Sequence, residues 1–208
     1  MEHKIIAIGR QFGSGGHEIA SLLSKELEIP MYDRDLVEMA AVKLGLSEIT
    51  VEAVDESVFN TILSSYRYNG LAPKKVPLND STFEAQSKLI ENLAQKGPCI
   101  FVGRCADYVL RDIPQCLSIF LYASYQDRTE RIMKRYGISK REAEVSIKKM
   151  DHRRKQYYET YTDRNWGSIE SHQLLINISQ LGFLQTIHTI KHLYVTPTSP
   201  IPDDISDQ

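Results

Sequence analysis

The chain has 208 residues, 42% of them hydrophobic and 25% charged, with a formal net charge of −2, so it is long enough to bury one core and ordinary enough in composition to be globular. No apolar run reaches the roughly 20 residues of a membrane span, and the first residues lead straight into a strand, without the pattern of a signal peptide. Cys99, Cys105 and Cys116 cannot all pair and form no C-x-x-C, which excludes a disulfide framework and a zinc cluster and points to a reducing, cytoplasmic setting.

Ile5–Ile8 is continuously apolar and reads as a strand buried on both faces. It runs into Gly9-Arg10-Gln11-Phe12-Gly13-Ser14-Gly15-Gly16-His17, and a helical pattern (Ile19, Ala20, Leu22, Leu23, Leu27) follows at once, predicting a helix from about Gly16 to Glu28. Glycines let backbone N–H groups converge and a helix N-terminus adds positive potential, so Arg10, Gly13, Ser14, Gly15, Gly16 and His17 are the candidate phosphate-binding residues. A standard P-loop reads G-x-x-x-x-G-K-[ST]; here Gly16 stands in place of the lysine and His17 in place of the hydroxyl. Ser14 has no general base beside it in the pattern, which argues against covalent catalysis.

Ile29–Tyr32 reads as a second strand, after which Asp33 or Asp35 would cap a helix carrying Leu36 to Leu44. About 47–79 reads as an insertion, partly loop, with Tyr66 and Tyr68 as possible stacking rings. Asp80 or Ser81 would cap a helix with Phe83, Leu89, Ile90 and Leu93 on one face. Cys99–Val102 is a central strand ending at Gly103-Arg104, followed by a short helix at 106–110 and a strand at 117–121. Two basic helices broken at Gly137 come next; residues 128–155 hold 11 Lys/Arg against 4 acids, a local +7 on a remainder of −9. A basic segment on an acidic protein suits a specific anionic ligand and argues against nucleic acid as the partner. Leu174–Ile178 is the last strand, 183–193 the last helix, and 196–208 a disordered tail. Strands alternating with helices predict a three-layer α/β domain over 1–195 with a parallel sheet, the ligand lying beyond the strands' carboxyl ends.

The order of parts resembles the cytidylate kinase-like family, a branch of the P-loop nucleoside monophosphate kinases. The resemblance covers about residues 4–182 and rests on the glycine loop, Pro30-Met31-Tyr32-Asp33, Val102-Gly103-Arg104-Cys105-Ala106-Asp107, Arg128-x-x-Arg131, Asp151-x-x-Arg154-x-x-Tyr157-Tyr158, Trp166 and Ile176-Asn177. It implies ATP and Mg²⁺, with phosphoryl transfer to a nucleoside monophosphate or another small acceptor. Arg128, Arg131 and Arg135 would act from a mobile basic lid, about 128–160, that closes over the transferring group. Arg104, Asp151 and Arg154 match acceptor-binding positions, and Asp33 or Asp107 would replace aspartates that true cytidylate kinases carry elsewhere. Arg10 would supply the missing loop cation. The plainer reading of Asp151 and Arg154, three apart on a helix, is a mutual ion pair, with Arg153 facing elsewhere. Tyr157, Tyr158 and Trp166 read as packing, and no histidines have metal-ligand spacing.

Two other classes stay open on the residues. Gly9-x-x-x-Gly13-x-Gly15, Asp33 and Tyr136-x-x-x-Lys140 fit a short-chain dehydrogenase, although Gly137 and Ser139 interrupt the helix that its Tyr-Lys pair requires. A non-catalytic nucleotide sensor would keep the glycine loop and lose the chemistry. Oligomeric state has no signature in the sequence.

Overall fold

The computed structural model describes residues 4–33 and 80–196. The helix expected after Asp33 or Asp35, the insertion with Tyr66 and Tyr68, and the tail beyond Thr196 lie outside the described residues.

Five parallel strands form one sheet in the order β2-β3-β1-β4-β5, with β1 (Ile5–Arg10), β2 (Met31–Tyr32), β3 (Cys99–Val102), β4 (Cys116–Tyr122) and β5 (Leu174–Asn177). Ile6 and Ile8 on the central strand lie beside Ile100 and Val102 of β3 and Leu117 and Ile119 of β4. Such unbroken apolar runs are stable only when both faces are covered. One face is covered by α1 (Gly16–Leu27) and α7 (Phe183–Val195), where Ile6, Ile8, Ile19, Leu23, Ile187 and Ile190 share a core. The other is covered by α2 (Asp80–Lys96) and α3 (Ala106–Val109), where Ala7, Phe101, Leu89, Ile90 and Leu110 share another. Each fully buried isoleucine or leucine contributes roughly 1.5–3 kcal/mol. This is the three-layer α/β arrangement with a parallel sheet that the strand and helix pattern predicts.

Beyond β4 the chain forms a helical pair, α4 (Tyr125–Tyr136) and α5 (Lys140–Thr162). Ser124 caps α4, its Oγ accepting from the N–H of Asp127, and left-handed Gly137 ends it. Ser139 and Glu142 make a capping box that starts α5. Tyr136 and Lys140 therefore lie on different helices, which removes the continuous face that the dehydrogenase reading needs. Ile132, Ala143 and Ile147 form a small separate core against which Phe12 of the glycine loop packs. The last strand ends one residue earlier than expected: Ile178 opens a one-turn helix, α6 (Ile178–Leu181), capped by the Asn177 side chain accepting from Ser179 N–H.

Because all five strands run the same way, Arg10, Tyr32, Val102, Tyr122 and Asn177 end on one edge of the sheet, and the glycine loop, Asp33, the Gly103 turn and the helical pair all leave from that edge. Among the described residues no helix is long and apolar enough to cross a membrane.

Candidate active site

The glycine loop is held by its own backbone and by β4. Gln11 donates its N–H to the Leu121 carbonyl and accepts from Ala123 N–H through its side chain. Ser14 is fully buried, its hydroxyl donating to the Gln11 carbonyl at 2.9 Å, a turn-forming role. Gly13 (φ 80°) and Gly15 (φ 92°) take the left-handed conformation that side chains resist, and Gly15 serves as the N-cap of α1 without any side-chain cap. The first-turn N–H groups of α1, from Gly16 to Glu18, therefore have no side-chain cap and stand at the positive end of the helix dipole.

The helical pair closes on this loop. The Arg131 guanidinium carbon lies 4.4 Å from the centre of the Phe183 ring, and a Cβ placed on Gly15 would run into both side chains. Arg131 is thus stationed over the donors of the loop. Arg128 and Arg135 are engaged elsewhere. Arg128 is buried, donating to the Phe12 carbonyl at 3.2 Å and to Asp151 Oδ2 at 2.5 Å, while Asp151 Oδ1 accepts the Phe12 N–H at 2.7 Å. Arg135 pairs with Glu18 on the outer surface of α1. Asp151 does not pair with Arg154: it ties α5 and α4 to the loop, and Arg154 donates to the Arg10 carbonyl at 2.8 Å.

His17 turns toward the end of β2, its Nε2 3.2 Å from Asp33 Oδ2. The pair occupies the region beside the first turn of α1 where the loop lacks its usual hydroxyl. Arg10 runs along the loop, its Cβ and Cγ against Gly16, which leaves that glycine no room for a side chain, and its guanidinium against Gly103, whose φ of 81° disfavours one. It bridges the loop to the second half of the site.

That second half is a cavity of about 580 Å³ next to the loop, between the end of β1, the turn after β3, α5 and the segment before β5. Gly103, Arg104 and Cys105 are three successive left-handed residues (φ 81°, 58° and 55°). Each non-glycine residue in that region costs roughly 1–2 kcal/mol, strain of the kind that collects at functional turns. Arg104 lines the cavity with its guanidinium carbon 5.0 Å above the Tyr157 ring. Arg10, Arg153 and Arg154 line it as well, so Arg153 faces the cavity rather than away from it. Tyr157 donates to Gln86 at 3.0 Å, and burial pushes its hydroxyl up to about 12. Trp166 meets Phe120 edge-on at 5.3 Å, and Phe120 meets His172 at 5.2 Å. Gly9 leaves room for this floor, since a Cβ there would lie 2.8 Å from the Phe120 ring and 3.2 Å from His172 Nε2.

Asp107 is buried on the same floor. It accepts from the Tyr158 hydroxyl at 2.6 Å and lies 3.7 Å from His172 Nε2. Burial raises its carboxyl above the ordinary carboxylate range, partly offset by Tyr158 and His172. Tyr158 and Trp166 do pack, as their spacing suggests, but they pack around an opening. His172 and Phe183 carry no local signal, since each is one ring in an otherwise ordinary run.

Arg131 and the loop donors form one group, while Arg10, Arg104, Asp107 and Arg154 form a second, with Asp33 and His17 beside the first turn of α1. Arg128, Asp151 and Arg135 fasten the helical pair. Among the described residues no cluster of three His, Cys, Asp or Glu could hold a metal by itself.

No curated protein matches the chain. Among solved structures it is similar to an uncharacterized protein from Eubacterium ventriosum ATCC 27560, with 27% identity, a TM-score of 0.71, and 91% of this chain and 97% of that one covered. It also aligns with the shikimate kinase of Bacteroides thetaiotaomicron at 13% identity and a TM-score of 0.48, covering 91% and 96%. A family model described as the cytidylate kinase-like family matches residues 5–180, the span that holds the sheet, the glycine loop and both basic helices, and the chain belongs to that family.

Proposed function

We propose that this protein transfers the γ-phosphoryl group of ATP to a nucleoside monophosphate or to another small anionic acceptor held in the arginine-lined cavity. The observation that carries the reading is Arg131 stationed over the uncapped first turn of α1, next to a cavity lined by Arg10, Arg104, Arg153 and Arg154.

The loop fits a polyphosphate. Gly13 and Gly15 keep side chains out of the loop, the Gly16–Glu18 N–H groups offer donors, and Arg10, whose stem lies along Gly16 where the lysine is missing, carries its cation to Gly103 between the loop and the cavity. Arg131 then binds the transferring group as its charge spreads, work that a planar guanidinium does better than a point charge. Phe183 moves with or away from Arg131 to admit the donor, since both now cover Gly15. Arg104 and Arg154 take the acceptor's anionic group, and Tyr157 and Trp166 wall its ring. Such transfer asks the protein for alignment, charge neutralisation and exclusion of water, which a helical pair seated on the loop supplies.

Asp33 is the carboxylate that would hold Mg²⁺, together with water and donor phosphates. This is the usual mode of that ion, which seldom uses an all-protein cage. When bound, the ion neutralises phosphate charge. His17 orients the Asp33 carboxylate for that task.

The test is a screen of ATP consumption against nucleoside monophosphates and small phosphorylatable metabolites, with Arg131→Ala as control. Turnover on at least one acceptor, lost in the variant, supports the reading. The missing loop lysine favours a second reading, a nucleotide sensor on a kinase fold; ATP binding by calorimetry with no turnover on any acceptor selects it.

A further inference from the structure

The His172 side chain is 1% exposed and that of Asp107 6%, and no lysine or arginine makes an ion pair with Asp107 among the described residues. His172 Nδ1 lies 3.1 Å from the Ser168 carbonyl oxygen. A carbonyl can only accept, so Nδ1 carries a hydrogen. In a neutral ring this makes Nε2 a bare lone pair, and Nε2 is the atom that faces Asp107 Oδ2 at 3.7 Å. The Tyr158 hydroxyl donates to that same oxygen and adds no proton between the two. A lone pair set against a buried carboxylate is repulsive. The arrangement is attractive only with one more proton on the pair, written either as imidazolium with carboxylate or as imidazole with carboxylic acid.

We infer that Asp107 and His172 together carry one proton through neutral pH, and that this pair, with Tyr158, is a positioning device that pins α5 to the cavity floor and keeps the floor free of net negative charge. The second half rests on the proposed function, since an anionic acceptor held by Arg104 and Arg154 would be opposed by a bare carboxylate beside it. The first half does not rest on it.

Among the described residues the other groups facing the pair stay out of the titration. Burial pushes the Cys116 thiol on β4 up to about 12 and the Cys105 thiol and Tyr158 hydroxyl higher still. The guanidiniums of Arg10, Arg104, Arg153 and Arg154 around the cavity stay charged throughout. Burial of Asp107 favours retention of the proton. Above about pH 6.5 an unfolded histidine and aspartate bind no proton, whereas the folded pair binds one. Stability therefore falls as pH rises from there, by up to tenfold in the unfolding constant per pH unit, until the folded pair also loses its proton.

The experiment is the unfolding constant of the whole chain against pH from 5 to 9, for the wild type, Asp107→Asn and His172→Gln. Asparagine has no titrating proton, and with Nδ2 in the place of Oδ2 it donates toward Nε2 while the Tyr158 hydroxyl turns to accept its second hydrogen. The expected result is a fall above pH 6.5 in the wild type that Asp107→Asn lacks, the variant instead losing stability below 6.5 as unfolded His172 takes up its proton. The same alkaline slope in all three proteins overturns the proposal. Should the variants not fold, ¹⁵N resonances of the wild-type His172 ring decide: no transition near pH 6.5 is expected, and an ordinary one overturns the shared proton. With cytidine monophosphate as probe, binding weakens with loss of the proton in the wild type but not in Asp107→Asn, and equal pH dependence overturns the cavity half. Absence of any cytidine monophosphate binding counts against that acceptor and leaves the unfolding result to stand or fall alone.

Discussion

The glycine loop and the arginine-lined cavity adjoin each other, yet they are built in opposite ways. The loop is a contiguous stretch, residues 9–17, that works through its main chain, and its side chains matter mostly by being absent. The cavity is assembled from side chains on separate parts of the chain, from Gly9 and Arg10 through Arg104, Asp107 and Phe120 to α5, Trp166 and His172. A main-chain site tolerates changes of neighbouring side chains but no added Cβ at its contact points. A side-chain site depends on long-range packing to bring its members together. The proposed division of labour follows: the loop recognises a group common to all donors, and the cavity selects the acceptor.

Gly15→Val tests the loop's half most severely. A β-branched residue at φ 92° is strained whatever the space, and its Cβ would meet Arg131 and Phe183. Donor binding, measured by ATP titration calorimetry, is expected to weaken by more than about 100-fold, roughly 3 kcal/mol. Retention of wild-type affinity would remove the loop as the phosphate site. Next in size is Arg131→Ala. If the guanidinium acts on developing charge, turnover falls about 100- to 1,000-fold while ATP affinity changes only a few-fold. Equal losses in both would make Arg131 a binding residue and merge the two roles that the comparison keeps apart.

The same contrast decides what could be read from the residues alone. The loop, the strand Cys99–Val102 and the helix break at Gly137 are written in neighbouring residues, through apolar runs, glycine and capping signals. The cavity is not. Arg104 and Asp107 stand in a recognisable string, but nothing around His172 announces that folding carries it to Asp107, 65 positions earlier in the chain. Asp151 misleads for the same reason. Its neighbour at helical spacing, Arg154, is a plausible partner, yet tertiary packing delivers Arg128 and the Phe12 N–H to it instead. Arg153 likewise reads as facing elsewhere than Asp151 and Arg154, and it is an exposed residue on the lining of the cavity.

Asp151→Ala strikes the joint between the two regions. It leaves the buried Arg128 guanidinium without its carboxylate and the Phe12 N–H without its acceptor. Asp151 keeps some solvent contact, so the loss is set at about 3 kcal/mol, the low end for breaking such a pair. For a chain of this length that corresponds to a fall in melting temperature of roughly 6–12 °C by calorimetry. A change under about 2 °C would mean that the clamp on Phe12 contributes little and that the loop holds its shape unaided.

Arg135→Ala should do least. Arg135 shares the basic face of α4 with Arg128 and Arg131, and on sequence the three read as one lid set. Its partner, however, is Glu18, in the first turn of α1, and both side chains are substantially exposed, 50% and 39%. An exposed pair of this kind contributes about 0.2–1 kcal/mol and is screened by salt. Removing it is expected to leave stability within about 1 kcal/mol and turnover within about threefold, with the small stability loss vanishing in concentrated salt. The reason is positional: four residues separate Arg131 from Arg135, so they sit one turn apart on the same side of α4, and the turn nearer β4 reaches Gly15 while the next overhangs the flank of α1. A loss of turnover approaching that of Arg131→Ala would show that the pair with Glu18 opens when the donor binds. Arg135 would then join the side chains that act on the transferring group, and the loop would no longer work through its main chain with one guanidinium alone.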